Sequence, residues 1–243
     1  MLLPDRYVYC SSSNNSMMES SKACSLNPIC THPFLKHGIN DNLEAQAQAL
    51  YDHVLLSNDV SPRAIKSFGE VITGKTPSTA VSEYYGYDVP FIKTPDMHGS
   101  VFITESECYL SEAGANSQKS KYIPANSVVV ACIGANAGEV SLTSYKAQTN
   151  QQINSIITEY PCFLYFAIKG SHEKLRTLGD GSSTMLNINK TSFETFQIDC
   201  VNINILNELE KKLSVIFKEI LSNSLEINAL KRLNSLTIAK LSR

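Results

Sequence analysis

Residues 205–241, ILNELEKKLSVIFKEILSNSLEINALKRLNSLTIAKL, contain neither Gly nor Pro, and their pattern decides the architecture. Leu206, Leu209, Leu213, Ile216, Ile220, Ile227, Leu230 and Leu241 fall on a 3.5-residue repeat, the spacing of a helix that lays one apolar seam against a partner. At 1.5 Å per residue, ~37 residues make a rod of roughly 55 Å, which overhangs a globule of roughly 15 Å radius. A coiled coil is therefore expected over a helix that merely packs on its own domain. Its interface is assigned to Leu209, Leu213, Ile216, Ile220, Asn223, Ile227 and Leu230. The polar seam positions Asn223 and Asn234 fix register and partner at a cost in stability.

Upstream the pattern changes. From residue 61 to about 204, short apolar or alternating runs (residues 89–92, 101–103, 127–133, 153–157 and 163–168) are separated by turn residues, which predicts a mixed, strand-rich domain. Before it, the spacing of Leu43, Ala47, Leu50 and Val54 predicts a helix over about 41–57, capped by Asp41 or Asn42 and needing a partner helix. Residues 1–35, with Ser11-Ser12-Ser13-Asn14-Asn15-Ser16, show no periodicity. The fold class is α+β, in four parts: a poorly ordered arm over 1–38, a short helical segment over 39–60, the domain over 61–204 and the long helix over 205–243.

Of the 243 residues, 43% are hydrophobic and 18% charged, which excludes wholesale disorder, collagen and a disulfide scaffold. Seven cysteines without C-x-x-C spacing fit free thiols in a reducing compartment. Cys24, Cys30, His32 and His37 match no compact zinc pattern, so no metal is expected, and no cofactor. No apolar run approaches the roughly 18 residues of a membrane span, and Met1-Leu2-Leu3-Pro4-Asp5 lacks a basic leader; a cytoplasmic protein without membrane contact is expected. The net charge of -2 gives no general attraction to polyanions, so nucleic-acid contact must rest on local patches. The basic excess lies at the C-terminus, where residues 208–243 hold seven Lys/Arg against four Asp/Glu.

Enzyme signatures fail on context. Gly69-Glu70-Val71-Ile72-Thr73-Gly74-Lys75-Thr76 satisfies the phosphate-loop pattern of an NTPase. However, Pro77 biases Thr76 away from helix, and β-branched residues fill the loop where the backbone must wrap an anion. His-Glu-x-x-His, Gly-x-Ser-x-Gly and Gly-x-Gly-x-x-Gly are absent. Pro95-Asp96 lies far from Glu210-Lys211-Lys212, which argues against a nuclease carboxylate cluster. Cys132 with His98 could be a thiol nucleophile and base, but Cys132 sits in an apolar run and reads as core.

What remains is a polar inventory in the turns: Lys75, Thr76 and Ser78; Lys93 and Thr94; Asn116, Ser117, Gln118, Lys119, Ser120 and Lys121; Asn150, Gln151 and Gln152; Ser182, Ser183 and Thr184; Asn187, Asn189 and Lys190. Amides suit base edges, while lysines and hydroxyls suit phosphates. The same residues would equally serve as solvated turns.

The order of motifs resembles a known family. Leu43-Glu44-Ala45-Gln46-Ala47-Gln48-Ala49-Leu50-Tyr51 comes first, then Gly74-Lys75-Thr76-Pro77-Ser78, Val89-Pro90-Phe91-Ile92-Lys93 and Tyr109-Leu110-Ser111-Glu112. Ile123-Pro124, Ile133-Gly134, Asn150-Gln151-Gln152-Ile153-Asn154, Asn187-Ile188-Asn189-Lys190 and Glu226-Ile227-Asn228-Ala229-Leu230 follow. Together, over residues 39–243, they are similar to the DNA specificity subunits of type I restriction-modification systems. The resemblance implies a noncatalytic reader of double-stranded DNA that clamps one half of a bipartite target. It also implies DNA adenine methyltransferase subunits and a restriction subunit as partners, with the helices as spacer.

With one domain and one long helix, the chain looks like a half subunit. Either it forms a homodimer through the long helix, or it is a silent or truncated interaction module. Lys75, Thr76, Ser78, Lys93, Asn116, Lys119 and Lys121 are expected at the DNA face, with Asn150, Gln151 and Gln152 shared between base reading and a structural role.

Overall fold

The structure, a computed structural model, describes residues 28–241 apart from His98, Ala135 and residues 179–186. The arm over 1–27, Cys24 of the Cys/His spacing, Ser182, Ser183 and Thr184 lie outside the described residues, as do the side chains of Cys30, His32 and Leu241.

The first helix, α1 (Pro28–Leu56), begins well before the expected start, so residues 28–38, read as arm, are helical. Asp41 and Asn42, expected as its cap, lie in its middle. The reason is tertiary: Lys36 donates to Asn223 Oδ1 at 2.7 Å and pairs with Glu226 at 2.8 Å on the long helix, giving the first turns a partner that local pattern does not reveal.

The strands run from Ser61 to Cys200. β1 (Ser61–Ala64) pairs with β10 (Gln197–Cys200) as a two-stranded antiparallel unit. The main sheet has the order β2-β9-β6-β7-β4, from β2 (Gly69–Thr73), β9 (Ile153–Thr158), β6 (Val128–Ala131), β7 (Val140–Thr143) and β4 (Phe102–Ile103). It is antiparallel except for the parallel β4 and β7 pair. A smaller sheet places β3 (Tyr85–Ile92) between β5 (Tyr109–Leu110) and β8 (Gln148–Thr149). Short helices α2 (Glu112–Asn116), α4 (His172–Thr177) and α5 (Lys190–Thr195) fill the connections.

Both faces of the main sheet are covered, which explains why Val128-Val129-Val130-Ala131 reads as a continuous apolar run. Val128 and Val130 face the helices, whereas Val129 and Ala131 face Ile92, Ile123 and Ala147 beside the small sheet. Residues 163–168, expected among the strands, form the middle of α3 (Pro161–Gly170), a helix buried from Cys162 to Ile168. A fully buried helix carries no periodic signal, and its aromatic residues imitate a core strand.

The last helix, α6 (Ile203–Leu241), has 39 residues and a length of about 58 Å. It runs antiparallel to α1, since Lys36 meets Glu226 while Asn40, one turn later, donates to Ser224 Oγ at 3.1 Å. Its proximal half belongs to the domain core. Leu206, Leu209, Leu213, Phe217 and Ile220 are buried with Val130, Leu142, Phe163 and Phe166. The seam therefore steps from Leu213 to Phe217, leaving Ile216 and Leu230 partly exposed.

Phe217 stacks edge-on against Phe102, Tyr165 and Phe166 at centroid distances of 6.1, 5.5 and 5.6 Å. Over the proximal half a pocket of rings in its own domain sets the period, and farther along α6 is paired with the antiparallel α1. Of the residues expected at the coiled-coil interface, Leu209, Leu213, Ile220, Asn223 and Ile227 are buried within one chain, whereas Ile216 and Leu230 are partly exposed. Beyond Arg232, which pairs with Glu105 at 2.8 Å, α6 extends past the domain with Leu233 and Leu236 exposed.

Candidate functional site

The expected site residues converge at one edge, where β8 and the turn after it draw three loops together. Gly74 approaches that turn so closely that a Cβ on it would lie 2.1 Å from the Asn150 carbonyl oxygen. Gly74 N donates to Ile153 O at 3.0 Å, and Lys75 N to Thr149 O at 2.9 Å. Thr76 Oγ1 donates to Gln151 Oε1 at 2.6 Å, and Thr94 Oγ1 reaches Gln152 Oε1 at 3.4 Å. Tyr85 OH donates to Pro77 O at 2.9 Å and holds the chain leading to the exposed Ser78.

A third loop, containing Asn116, Lys119 and Lys121, joins through Gln118, whose Nε2 donates to Lys75 O at 2.7 Å. Lys75, Asn116 and Lys119 are exposed and Lys121 is half-buried. Lys146 lies 4.2 Å from the centroid of the Tyr122 ring beside them.

Several amides offered as base readers have other work. Asn150 is buried: its Nδ2 donates to Gln152 Oε1 at 3.0 Å and its Oδ1 accepts from Gln152 N at 3.2 Å. Both ends of its carboxamide hold the turn, the structural one of the two roles expected for Asn150. Gln151 is exposed and Gln152 half-buried. Asn189 caps α5 by accepting from Ser192 N at 2.9 Å. Lys93 Nζ donates to Cys108 Sγ at 2.8 Å, a bond that holds its ammonium above the usual range, so this lysine is tied to the domain. Neither Gln118 nor Gln148, both buried, stands out in the sequence, because a glutamine in a short polar stretch carries no sign of burial.

The enzymatic alternatives lose their groups to structure. Gly69–Thr73 is strand β2, and the Gly74 and Lys75 amides that a phosphate would need already donate to Ile153 and Thr149. Asp96 accepts from Lys93 N at 2.8 Å and Glu107 N at 3.1 Å, closing a turn. Glu210, also buried, accepts from the amides of Cys162 at 3.0 Å and Phe163 at 2.8 Å and caps α3. Burial raises the Glu210 carboxyl above its ordinary range. The Cys132 thiol is pushed up to about 12 by burial, and Asn154 Nδ2 donates to its Sγ at 3.1 Å, so it is a core thiol; His98 lies outside the described residues.

A clamped loop edge with exposed lysines thus adjoins a sheet braced by two antiparallel helices. Residues 57–237 match the type I restriction modification DNA specificity domain, and the chain belongs to that family. Among curated relatives, it is 45% identical over 184 residues to the type I restriction enzyme HindI specificity subunit of Haemophilus influenzae, covering 74% of this chain and 40% of that protein. It is 29% identical over 136 residues to the MjaIX specificity subunit of Methanocaldococcus jannaschii, covering 53% and 31%.

The fold is similar to the type I restriction-modification S subunit of M. genitalium, with TM-score 0.58, 9% identity and coverage of 91% of this chain and 57% of that one. It is also similar to the HsdS subunit of Thermoanaerobacter tengcongensis, with TM-score 0.50, 13% identity and coverage of 93% and 55%. The chain thus spans about two fifths of the HindI subunit and somewhat over half of the solved ones. Among the described residues, no helix is long and apolar enough to cross a membrane.

Proposed function

We propose that this chain is the sequence-reading component of a type I restriction-modification complex, acting in the cytoplasm. It binds double-stranded DNA through the edge formed by Lys75, Thr76, Ser78, Asn116, Lys119, Lys121 and Gln151. In doing so it reads one half of a bipartite target and directs adenine methylation and restriction by partner subunits, with no chemistry of its own. The observation that carries this proposal is that three exposed or half-exposed lysines stand on loops whose main chains are fixed by hydrogen bonds to neighbouring elements. With a net charge of -2 the protein has no general affinity for phosphates, so local lysines must supply it. Family membership supports the same reading. The braced α1 and α6 pair is a stiff spacer on which partner subunits can hold a fixed position relative to the reader.

A salt titration of the full chain against a random duplex tests this. Binding should weaken with salt along a log-log slope of about -0.9 for each phosphate contacted. The combined Lys75→Ala, Lys119→Ala, Lys121→Ala variant should reduce that slope by roughly two to three. A wild-type chain with no salt-dependent binding refutes DNA reading and leaves the silent interaction module. Methylome sequencing of cells with and without the chain tests the finer role, because a bipartite methylated motif must disappear with it.

A further inference from the structure

Two glutamines lie beneath the lysine edge, both buried: Gln118 is 6% exposed and Gln148 is 0% exposed. Gln118 Nε2 donates to Lys75 O at 2.7 Å and to Gln148 Oε1 at 2.8 Å. Gln148 Nε2 donates to Ala115 O at 2.9 Å, at the end of α2, and to Gln118 O at 3.4 Å. One coupled pair of carboxamides therefore bonds the loop after β2, the end of α2 and the turn that carries Lys119 and Lys121. The Lys75 main chain is held on both sides, its N–H by Thr149 O at 2.9 Å and its carbonyl by Gln118. On the other loop, Lys121 N donates to Gln118 O at 2.9 Å, so the turn of the second lysine group is built on the same residue.

Burying two carboxamides has a desolvation cost that two leucines would not incur, but leucines would leave the main-chain acceptors Lys75 O and Ala115 O without these donors, so the exchange costs some stability. What an apolar pair lacks is direction. Hydrogen bonds admit a narrow range of distance and angle, so the pair fixes how far Lys75 stands from Lys119 and Lys121, whereas methyl groups would let the loops slide.

We infer that Gln118 and Gln148 are positioning residues for DNA recognition: they touch no DNA, and they set the spacing of the lysine groups so that only a duplex of matching groove geometry and sequence is held well. This deepens the function proposed above and rests on it.

The test begins with selection by the full wild-type chain from a randomised duplex library, which supplies the probe duplex. Affinity for that duplex and for a scrambled one is then measured for wild type and for the Gln118→Leu/Gln148→Leu double variant, along with thermal midpoints. The double variant should fold, melting below wild type because Lys75 O and Ala115 O lose these donors, and keep its affinity and salt slope on the scrambled duplex. Its preference for the selected duplex should fall by about tenfold or more, the discrimination carried by a well-placed contact.

A double variant that folds and retains the preference within twofold overturns the inference while leaving DNA reading intact. If the double variant does not fold, the single Gln118→Met variant, which removes the bond to Lys75 O and keeps the volume, takes its place with the same two outcomes. A wild-type chain that enriches no motif overturns DNA reading, and this inference falls with it.

Discussion

Replacing Glu210 tests whether α6 is an integral part of the domain or a rod attached to it. α3 has no side-chain cap of its own at Tyr160, and Glu210 supplies one from another helix by accepting from the amides of Cys162 and Phe163. Glu210→Ala leaves both donors without an acceptor in a buried place, at about 1–3 kcal/mol each and so about 2–6 kcal/mol together. Removing a carboxylate whose burial is itself unfavourable offsets part of this, and the expected net loss is about 2–4 kcal/mol. Glu210→Gln keeps one acceptor and removes the charge but leaves one amide unpaired, so its loss should be smaller, about 1–2 kcal/mol at neutral pH.

The pH dependence follows from the raised carboxyl pKa. The folded state holds this proton more tightly than the unfolded state. The group's contribution to stability is therefore fully present below the ordinary carboxyl range and is lost as pH rises through the raised value. Urea unfolding followed by far-UV circular dichroism, from about pH 4 to pH 8, should show wild type losing stability relative to Glu210→Gln as pH rises. An alanine variant as stable as wild type, or parallel pH profiles for wild type and the glutamine variant, would refute the reasoning.

Phe217→Ala should cost about 3–5 kcal/mol in urea denaturation, because the ring is buried among Phe102, Tyr165 and Phe166, and Ile216→Ala clearly less. The reverse order would restore the 3.5-residue seam. Asn223 accepts from Lys36 at 2.7 Å and donates to Asn40 Oδ1 at 3.0 Å, so Asn223→Leu should cost about 1–3 kcal/mol. It should also speed amide exchange in the first turns of α1; unchanged protection there would show that this polar layer does not hold the helix.

Local pattern identified much of the fold where it carries the physics. The Gly- and Pro-free run ending at Leu241 is one helix, and the apolar runs at 89–92, 101–103, 127–133 and 153–157 fall on strands. Asn223 was legible as a register-setting polar residue, but its partners Asn40 and Lys36 lie about 180 positions away and could not be named. The loops that form the candidate site were legible as a set of polar turns. Their division into exposed Lys75 and Lys119, tied Lys93 and buried Asn150 was not, because turn composition is the same whether an amide faces solvent or its neighbour's backbone.

Periodicity and turn chemistry by themselves determined that this chain is a strand-rich domain attached to a long amphipathic helix, since both are short-range properties written in consecutive residues. Tertiary structure decided what the helix packs against, where α1 begins, that residues 163–168 are helix, and which polar side chains remain free to meet a ligand. Each of those outcomes depends on burial and hydrogen-bond partners that are distant in sequence, such as Glu210 to Cys162 and Gln118 to Lys75, and no local window contains both ends of such a pair.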